Sequence, residues 1–447
     1  MPSLGAVIPG LRRRLSVALP PGTTAIGAGL IVSGVTAYAY LVLTARILGP
    51  TRYVPLSVLW ASVFILGSGL FLPLQQEVGR LVARRQVEGV GVGPVIKRAA
   101  VLGASLAGVV LMGLVVAWFA SGRRLFDGQV LLVAGLAAAI VGYCLLSLLW
   151  GSLAGTGRFR QFAYAQSGDG LIRIAFCALF AIFGVKTAGP YGLVLGLAPI
   201  IAALVIWHPN RDLLSSGTPV PWSDLSRALG WLLIGSVAAQ MLVNGPIIAV
   251  SLLATPADKS RAGHLLAGVV IARVPLFLFG AVQAALLPRL ASLARAGRWT
   301  EFRAGWMRLF LLVATIAILF TIGCFLVGPF VLRLLFSPRF ALSRSDLTLL
   351  AAASGAFMLS LCVAQALIAL EHHARSAVGW LIGIAVFVLV TALGRSLLPR
   401  VEIGYLVGAL SAFTVASALL WHAASHVDHL PDPEQLSVST ASLELEP

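Results

Sequence analysis

The apolar positions of this 447-residue chain fall in long uncharged runs bounded by charges, Gly/Pro clusters or polar loops. About 20 apolar residues in helix cross a bilayer core. A transmembrane barrel would instead show alternating segments of about 10 residues, a pattern absent from this sequence. The runs predict about twelve helices, at 23–45, 54–76, 97–119, 129–153, 162–184, 189–207, 228–254, 263–287, 307–334, 347–370, 376–397 and 403–423. The fold class is therefore all-α, a polytopic membrane protein.

The longest break between runs lies from Trp207 to Arg227 and contains Pro209, Asn210, Ser215, Ser216, Gly217, Pro219 and Pro221, a linker composition. It predicts an N-terminal six-helix lobe at 1–208, a cytoplasmic linker at 209–226 and a C-terminal six-helix lobe at 227–424. Residues 425–447 are acidic and contain Pro431 and Pro433, and they read as a disordered cytoplasmic tail. Sliding the second half back by 211 positions aligns Gly34 with Gly245, Thr44 with Thr255, Gly69 with Gly280 and Ala83-Arg84 with Ala294-Arg295. About 11 of 71 positions from Ala28 to Arg98 are then identical, and the helix order matches. Both halves run in the same direction, as parallel repeats do.

Composition narrows the class further. With 59% hydrophobic and 11% charged residues and a mean hydropathy of +0.96, the chain is not an ordinary water-soluble enzyme, which carries about a quarter charged residues. The formal charge of +16 comes from cations spread singly along the chain. That spread argues for membrane topology and against a nucleic-acid partner. Counting Arg and Lys in the short loops puts 18 on the side of the N-terminus and 12 on the other, with Arg173 and Arg273 inside helices. This bias predicts a multi-pass protein of the cytoplasmic membrane with both termini cytoplasmic. Arg12, Arg13 and Arg14 precede an apolar stretch too long for a signal peptide, so that stretch reads as a retained first helix. Cys144, Cys177, Cys324 and Cys362 lie singly in apolar runs and read as packing residues, and His422, His426 and His429 as surface histidines.

No GxSxG, Walker or HExxH pattern occurs. We therefore expect no catalytic residues, metal or cofactor, and a protein that is not an enzyme. Polarity inside the bilayer is more informative, because a charged side chain there faces a cavity or a partner. Arg173 and Arg273 would suit an anionic substrate such as a phosphate group. For Arg173 an ion pair with Asp169, four residues earlier, is the competing reading. Glu77 and Arg80 end the second run, as vestibule residues or as an ordinary helix end. Gln240, Asn244, Gln283 and Gln365 lie within apolar runs and serve either packing or substrate contact. Asn244-Gly245-Pro246 is the clearest candidate for a bent helix.

Two stretches carry a resemblance: Ala45-Arg46-Ile47-Leu48-Gly49-Pro50-Thr51-Arg52-Tyr53 with the downstream Gln75-Gln76-Glu77-Val78-Gly79-Arg80, and Gly155-Thr156-Gly157-Arg158-Phe159. They resemble Wzx-like polysaccharide flippases, of the superfamily that also holds MATE multidrug exporters. Thr51 and Arg52 stand where that family has an acidic residue, and Val54 replaces the glycine after the tyrosine. The resemblance implies two six-helix lobes in a V that alternate in access around a cationic cavity. The implied cargo is a polyprenyl-diphosphate-linked oligosaccharide, with Arg173 and Arg273 as its contacts and Arg80 at the cytoplasmic mouth. Gln240, Asn244 and Gln283 are the accompanying polar candidates. Membrane lipids, glycosyltransferases and the polymerase of the same pathway are the implied partners. A cation-coupled multidrug exporter is one rival, and it would need a membrane carboxylate, for which Glu77, Asp169 and Glu371 are the candidates. A membrane glycosyltransferase or polymerase is the other, and it would need a larger outer loop than any found here.

Overall fold

In the computed structural model, residues 23–119, 126–277, 279–280, 290, 292–294 and 296–427 are described. Arg12 to Arg14, Gln283 and residues 428–447 of the tail lie outside them. Among the described residues the chain forms α1 (Thr23–Val63), α2 (Gly69–Val87), α3 (Gly93–Ala117), α4 (Val130–Gly155), α5 (Phe159–Ile182) and α6 (Ala188–Trp207). These are followed by α7 (Ser223–Leu253), α8 (Lys259–Ala272), α9 (Trp299–Phe336), α10 (Arg344–Ala369), α11 (His373–Leu393) and α12 (Leu397–Val427). Among the described residues ten spans are long and apolar enough to cross a membrane, the first of them joining α1 and α2. The chain is a polytopic helical protein.

The junctions and ends of several helices have local causes. The break expected between the first two helices falls at Gly49, which turns the chain at φ 72°, a conformation open to glycine, and Pro50 then starts the next helical segment, so α1 is two segments meeting at a kink. A single wider turn at Phe64–Ser68 leads into α2, which runs to Val87 rather than to residue 76. Gln, Glu and Arg are good helix formers, so α2 outlasts its apolar run. The helix expected at 263–287 stops at Ala272, and Arg273 forms a turn before the chain is helical again at 274–277. Pro275 explains the stop, since its ring crowds the carbonyl of Ile271 and it has no N–H to give.

The chain divides into two units between Leu229 and Gly230. In the first, α4 packs on α6 and α2, and α1 packs on α5. Glycines bring α4 and α6 close: a Cβ on Gly196 would sit 2.1 Å from the carbonyl oxygen of Gly135. In the second unit α12 packs on α10 and α11, and α9 on α10. Gly235 of α7 lies against Ala377 and Gly245 against Phe387, so α7 meets α11 as α1 meets α5.

The units repeat in detail. The starts of their fourth and fifth helices share one offset of 214 residues, from Val130 to Arg344 and from Phe159 to His373. The turns before α5 and α11 are also alike. Gly157 (φ 72°) is followed by Arg158 (φ −83°, ψ 56°), and Glu371 (φ 61°) by His372 (φ −87°, ψ 54°). In each turn the second residue's N–H returns to a carbonyl at 2.8 Å, Arg158 to Leu153 and His372 to Leu367. The third helices, α3 and α9, are the least covered within their units. They present aliphatic faces that include Val109, Met112, Leu319 and Leu326, as lipid-facing helices do.

Candidate functional site

Among the described residues of the first unit, Arg173 and Asp169 form an enclosed ion pair. Arg173 of α5 is 3% exposed and donates from Nη2 to Asp169 Oδ2 one turn earlier. Its guanidinium lies 5.4 Å from the ring centre of Trp60 and 5.8 Å from that of Tyr40, two rings that stack on each other. Tyr143 of α4 is in electrostatic contact with both charges. Gly170 lets α5 approach Thr36 of α1 closely at this level, since a Cβ there would fall 2.0 Å from the Thr36 hydroxyl. Two charges in an apolar interior are tolerated as a compensated pair, and removing one alone leaves the other exposed to a large desolvation cost. The competing sequence reading of Arg173, pairing with Asp169, is thus what the geometry contains. The residue is enclosed within its unit by Asp169 and two aromatic rings.

The second unit holds a different arrangement. Arg273, at the break after α8, is half-buried, and its Nη1 donates to Asn244 Oδ1 at 3.0 Å. Asn244, 2% exposed, donates in turn to the backbone carbonyl of Gln240 at 3.0 Å and to its Oε1 at 3.1 Å. Asn244, Gly245 and Pro246 remain within the helix, so the proline does not break α7. Tyr405 of α12 and Ser354 of α10, each 1% exposed, are neighbours, and the charge of Arg273 acts on Tyr405. The result is a file of polar side chains through an apolar helical unit. Arg offers several donors in a planar fork, suited to a phosphate or to several hydroxyls.

The other candidates are placed as follows. Glu77 is 8% exposed and accepts two bonds from Arg80, Nε at 3.0 Å and Nη2 at 2.5 Å. The Arg80 side chain is itself 57% exposed. Glu371 is exposed in the turn between α10 and α11, with no enclosure around it. Gln365 is partly buried on α10. The four cysteines are buried and free, and among the described residues no group of His, Cys, Asp and Glu side chains could hold a metal ion.

Two features escape the sequence reading. The connector after α6 is held against the first unit: Arg158 forks onto Asp212 and reaches Asn210 at 2.8 Å. Arg85 reaches the carbonyl oxygens of Thr218 (2.7 Å) and Pro219 (3.3 Å), and Arg98 lies over the ring of Trp222 at 5.0 Å. Three of the cations counted for topology therefore bind the connector. The second feature is Glu402, 1% exposed near the start of α12. An expected helix starting at residue 403 leaves it in a loop, whereas α12 begins at Leu397. Its apolar neighbours Val401 and Ile403 are the signal that could have found it.

This fold is that of the MATE transporters. An inward-facing multidrug resistance MATE family transporter of the MOP superfamily superposes with a TM-score of 0.68 at 13% identity, over 89% of this chain and 95% of that one. An outward-facing form of such a transporter gives 0.65 at 12% identity, over 92% and 96%. No family model matches the sequence. Among curated proteins, the uncharacterized protein Rv3630 of Mycobacterium tuberculosis is 28% identical over 408 residues, covering 88% of this chain and 90% of the relative. The uncharacterized protein Rv1510 of the same species is 26% identical over 420 residues, covering 91% and 94%.

Proposed function

We propose that this chain is a transporter that moves a polyprenyl-diphosphate-linked oligosaccharide across the cytoplasmic membrane by alternating access, in the making of a cell-surface polysaccharide. The observation that carries this reading is the Arg273–Asn244–Gln240 group within an otherwise apolar unit. Arg273 supplies fixed positive charge for a diphosphate. Asn244 and Gln240 supply amide donors and acceptors for sugar hydroxyls. Arg80, exposed two turns before the end of α2, is suited to attract the anionic head group at the cytoplasmic mouth. The polyprenyl tail would remain in the bilayer, against aliphatic faces such as those of α3 and α9. Arg173 contributes by ordering the first unit around Asp169, Tyr40 and Trp60. Glycosyltransferases that build the cargo and the polymerase that uses it would be the functional partners, and both termini would lie in the cytoplasm.

A cation-coupled multidrug exporter is the second reading, favoured by the multidrug transporters among the structural neighbours. Its cargo would be cationic, whereas Glu77 and Asp169 are each engaged by an arginine and the side chain at the candidate site is the cation Arg273; Glu402 is the interior carboxylate left to such an exporter. The test is leaflet-resolved detection of polyprenyl-diphosphate glycans in membranes of cells with and without the protein. Cytoplasmic-face accumulation in its absence, reversed by restoring it, supports the flippase. An unchanged leaflet distribution together with protein-dependent efflux of cationic dyes would replace it with the exporter.

A further inference from the structure

Glu402 has a chemistry that the cargo reading does not use. Its side chain is 1% exposed, and neither Oε1 nor Oε2 has a hydrogen-bond partner. Every other interior carboxylate named above has an arginine: Glu77 has Arg80 and Asp169 has Arg173. Glu402 is flanked by buried Val401, and Gly404 brings α12 close to Thr391 of α11, whose hydroxyl donates to the carbonyl of Arg400 and not to Glu402.

The charged surroundings do not supply a counter-ion at hydrogen-bond distance. From α10 the group acting on Glu402 is Asp346, of like sign, which is committed to the capping box with Ser343. The titratable groups of α11 are His373 and Arg375, at its far end, roughly 27 Å along the helix from Thr391 at a rise of 1.5 Å per residue. Those of α8 are Lys259, Arg261 and His264, with Arg273 beyond its end beside Tyr405. On α12 itself, Arg400 lies two residues away, on a different side of the helix.

An ionised carboxylate with no donor in an apolar interior is costly, while the neutral acid has no charge to solvate. We propose that Glu402 is a proton-binding site of the second unit. It holds a proton while enclosed and gives it up when water reaches it. On release the carboxyl O–H bond breaks, its electron pair stays on the carboxylate, and the proton passes to that water. Tyr405, one turn further along α12, neighbours Ser354 and interacts electrostatically with Arg273. Glu402 thus stands one helical turn from a residue that interacts with the group assigned above to the cargo, and a proton gradient becomes a source of drive for transport. The coupling role rests on that assignment, but the proton site does not.

The experiment is infrared difference spectroscopy of the full-length protein in lipid bilayers, titrated with pH and without cargo. The wild type should show a protonated-carboxyl band that Glu402→Gln removes. Asp346→Asn, which keeps a capping side chain, should move the midpoint of that band to lower pH by withdrawing the like charge. A band that survives unchanged in Glu402→Gln, or a midpoint unmoved in Asp346→Asn, overturns the proposal. Should Glu402→Gln not fold, Glu402→Asp replaces it, with a displaced band expected and an undisplaced one contradicting the site. Since the band is read without cargo, its loss or survival is independent of whether the transport reading stands.

Discussion

The guanidinium of Arg273 donates to the side-chain carbonyl of Asn244 at 3.0 Å, tying the break after α8 to the middle of α7. The break exists because Pro275 ends the helix, and it places a long cationic side chain where a continuous helix would have offered only a regular surface. Arg273→Ala should slow flipping of lipid-linked glycans by about tenfold or more, the scale of a charged hydrogen bond lost from a binding group. Arg273→Lys should recover only part of the rate, because a point charge cannot reproduce the planar fork. Initial flipping rates in reconstituted vesicles check both values.

Arg173 and Asp169 should behave as a structural pair. Either single truncation leaves a buried charge and should cost about 3–5 kcal/mol. The double variant Asp169→Leu with Arg173→Met should restore much of the loss. Thermal unfolding of the detergent-solubilised protein, compared across the four chains, reads this out. Additive losses in the double variant would show that the two residues act separately.

At the turn before α11, Glu371 occupies a left-handed conformation that its counterpart Gly157 adopts without strain. Glu371→Gly should therefore raise stability by about 1 kcal/mol, and Gly157→Ala should lower it by a similar amount. A Tm that falls in Glu371→Gly would mean that the side chain makes a contact worth more than the strain.

The Arg158–Asp212 fork lies at the surface, with Arg158 30% and Asp212 61% exposed as side chains. Arg158→Ala should thus change global stability by less than about 1 kcal/mol. It should nonetheless loosen the connector, and limited trypsin digestion should cut faster after Arg211. Equal cleavage rates would show that Arg85 and Arg98 hold the connector alone.

Close helix packing gives a further test. Gly196 lies against the Gly135 carbonyl, so Gly196→Val should force α4 and α6 apart and cost about 1–3 kcal/mol or abolish folding. Size-exclusion behaviour and yield of the purified protein report it. Wild-type behaviour would contradict the crossing.

Much of the fold is legible in the sequence because bilayer length and apolar composition are strong constraints. Each expected helix has a counterpart among the described elements, apart from the part of the eighth that lies outside them. What hydropathy cannot see is backbone chemistry. Gly49 with Pro50 sets the kink between the first two runs, Pro275 shortens a later one, and Arg84 and Arg85 ride on a helix that polar residues extend. The site is less legible. Spacing alone pairs Asp169 with Arg173, since four residues is one helical turn, but nothing local brings Tyr40 and Trp60 onto the same guanidinium. Arg273 and Asn244 are 29 residues apart, and only the packing of two helices makes them partners. Glu402 is missed through a start placed six residues too late, which moves a buried carboxyl into a loop. The Leu48-Gly49-Pro50 and Gly157-Arg158 stretches that carry the family resemblance turn out to form a helix junction and a connector anchor.

In the proposed transport, Arg273, the half-buried cation of the second unit, handles an anionic lipid-linked glycan. The most direct test of that role is flipping of purified polyprenyl-diphosphate oligosaccharide in vesicles holding the wild type, Arg273→Ala or no protein, read by the fraction accessible to an external glycan-cleaving enzyme over time. Inner-leaflet label should be lost rapidly with the wild type and slowly with Arg273→Ala, toward the protein-free rate. Equal rates in all three would contradict it.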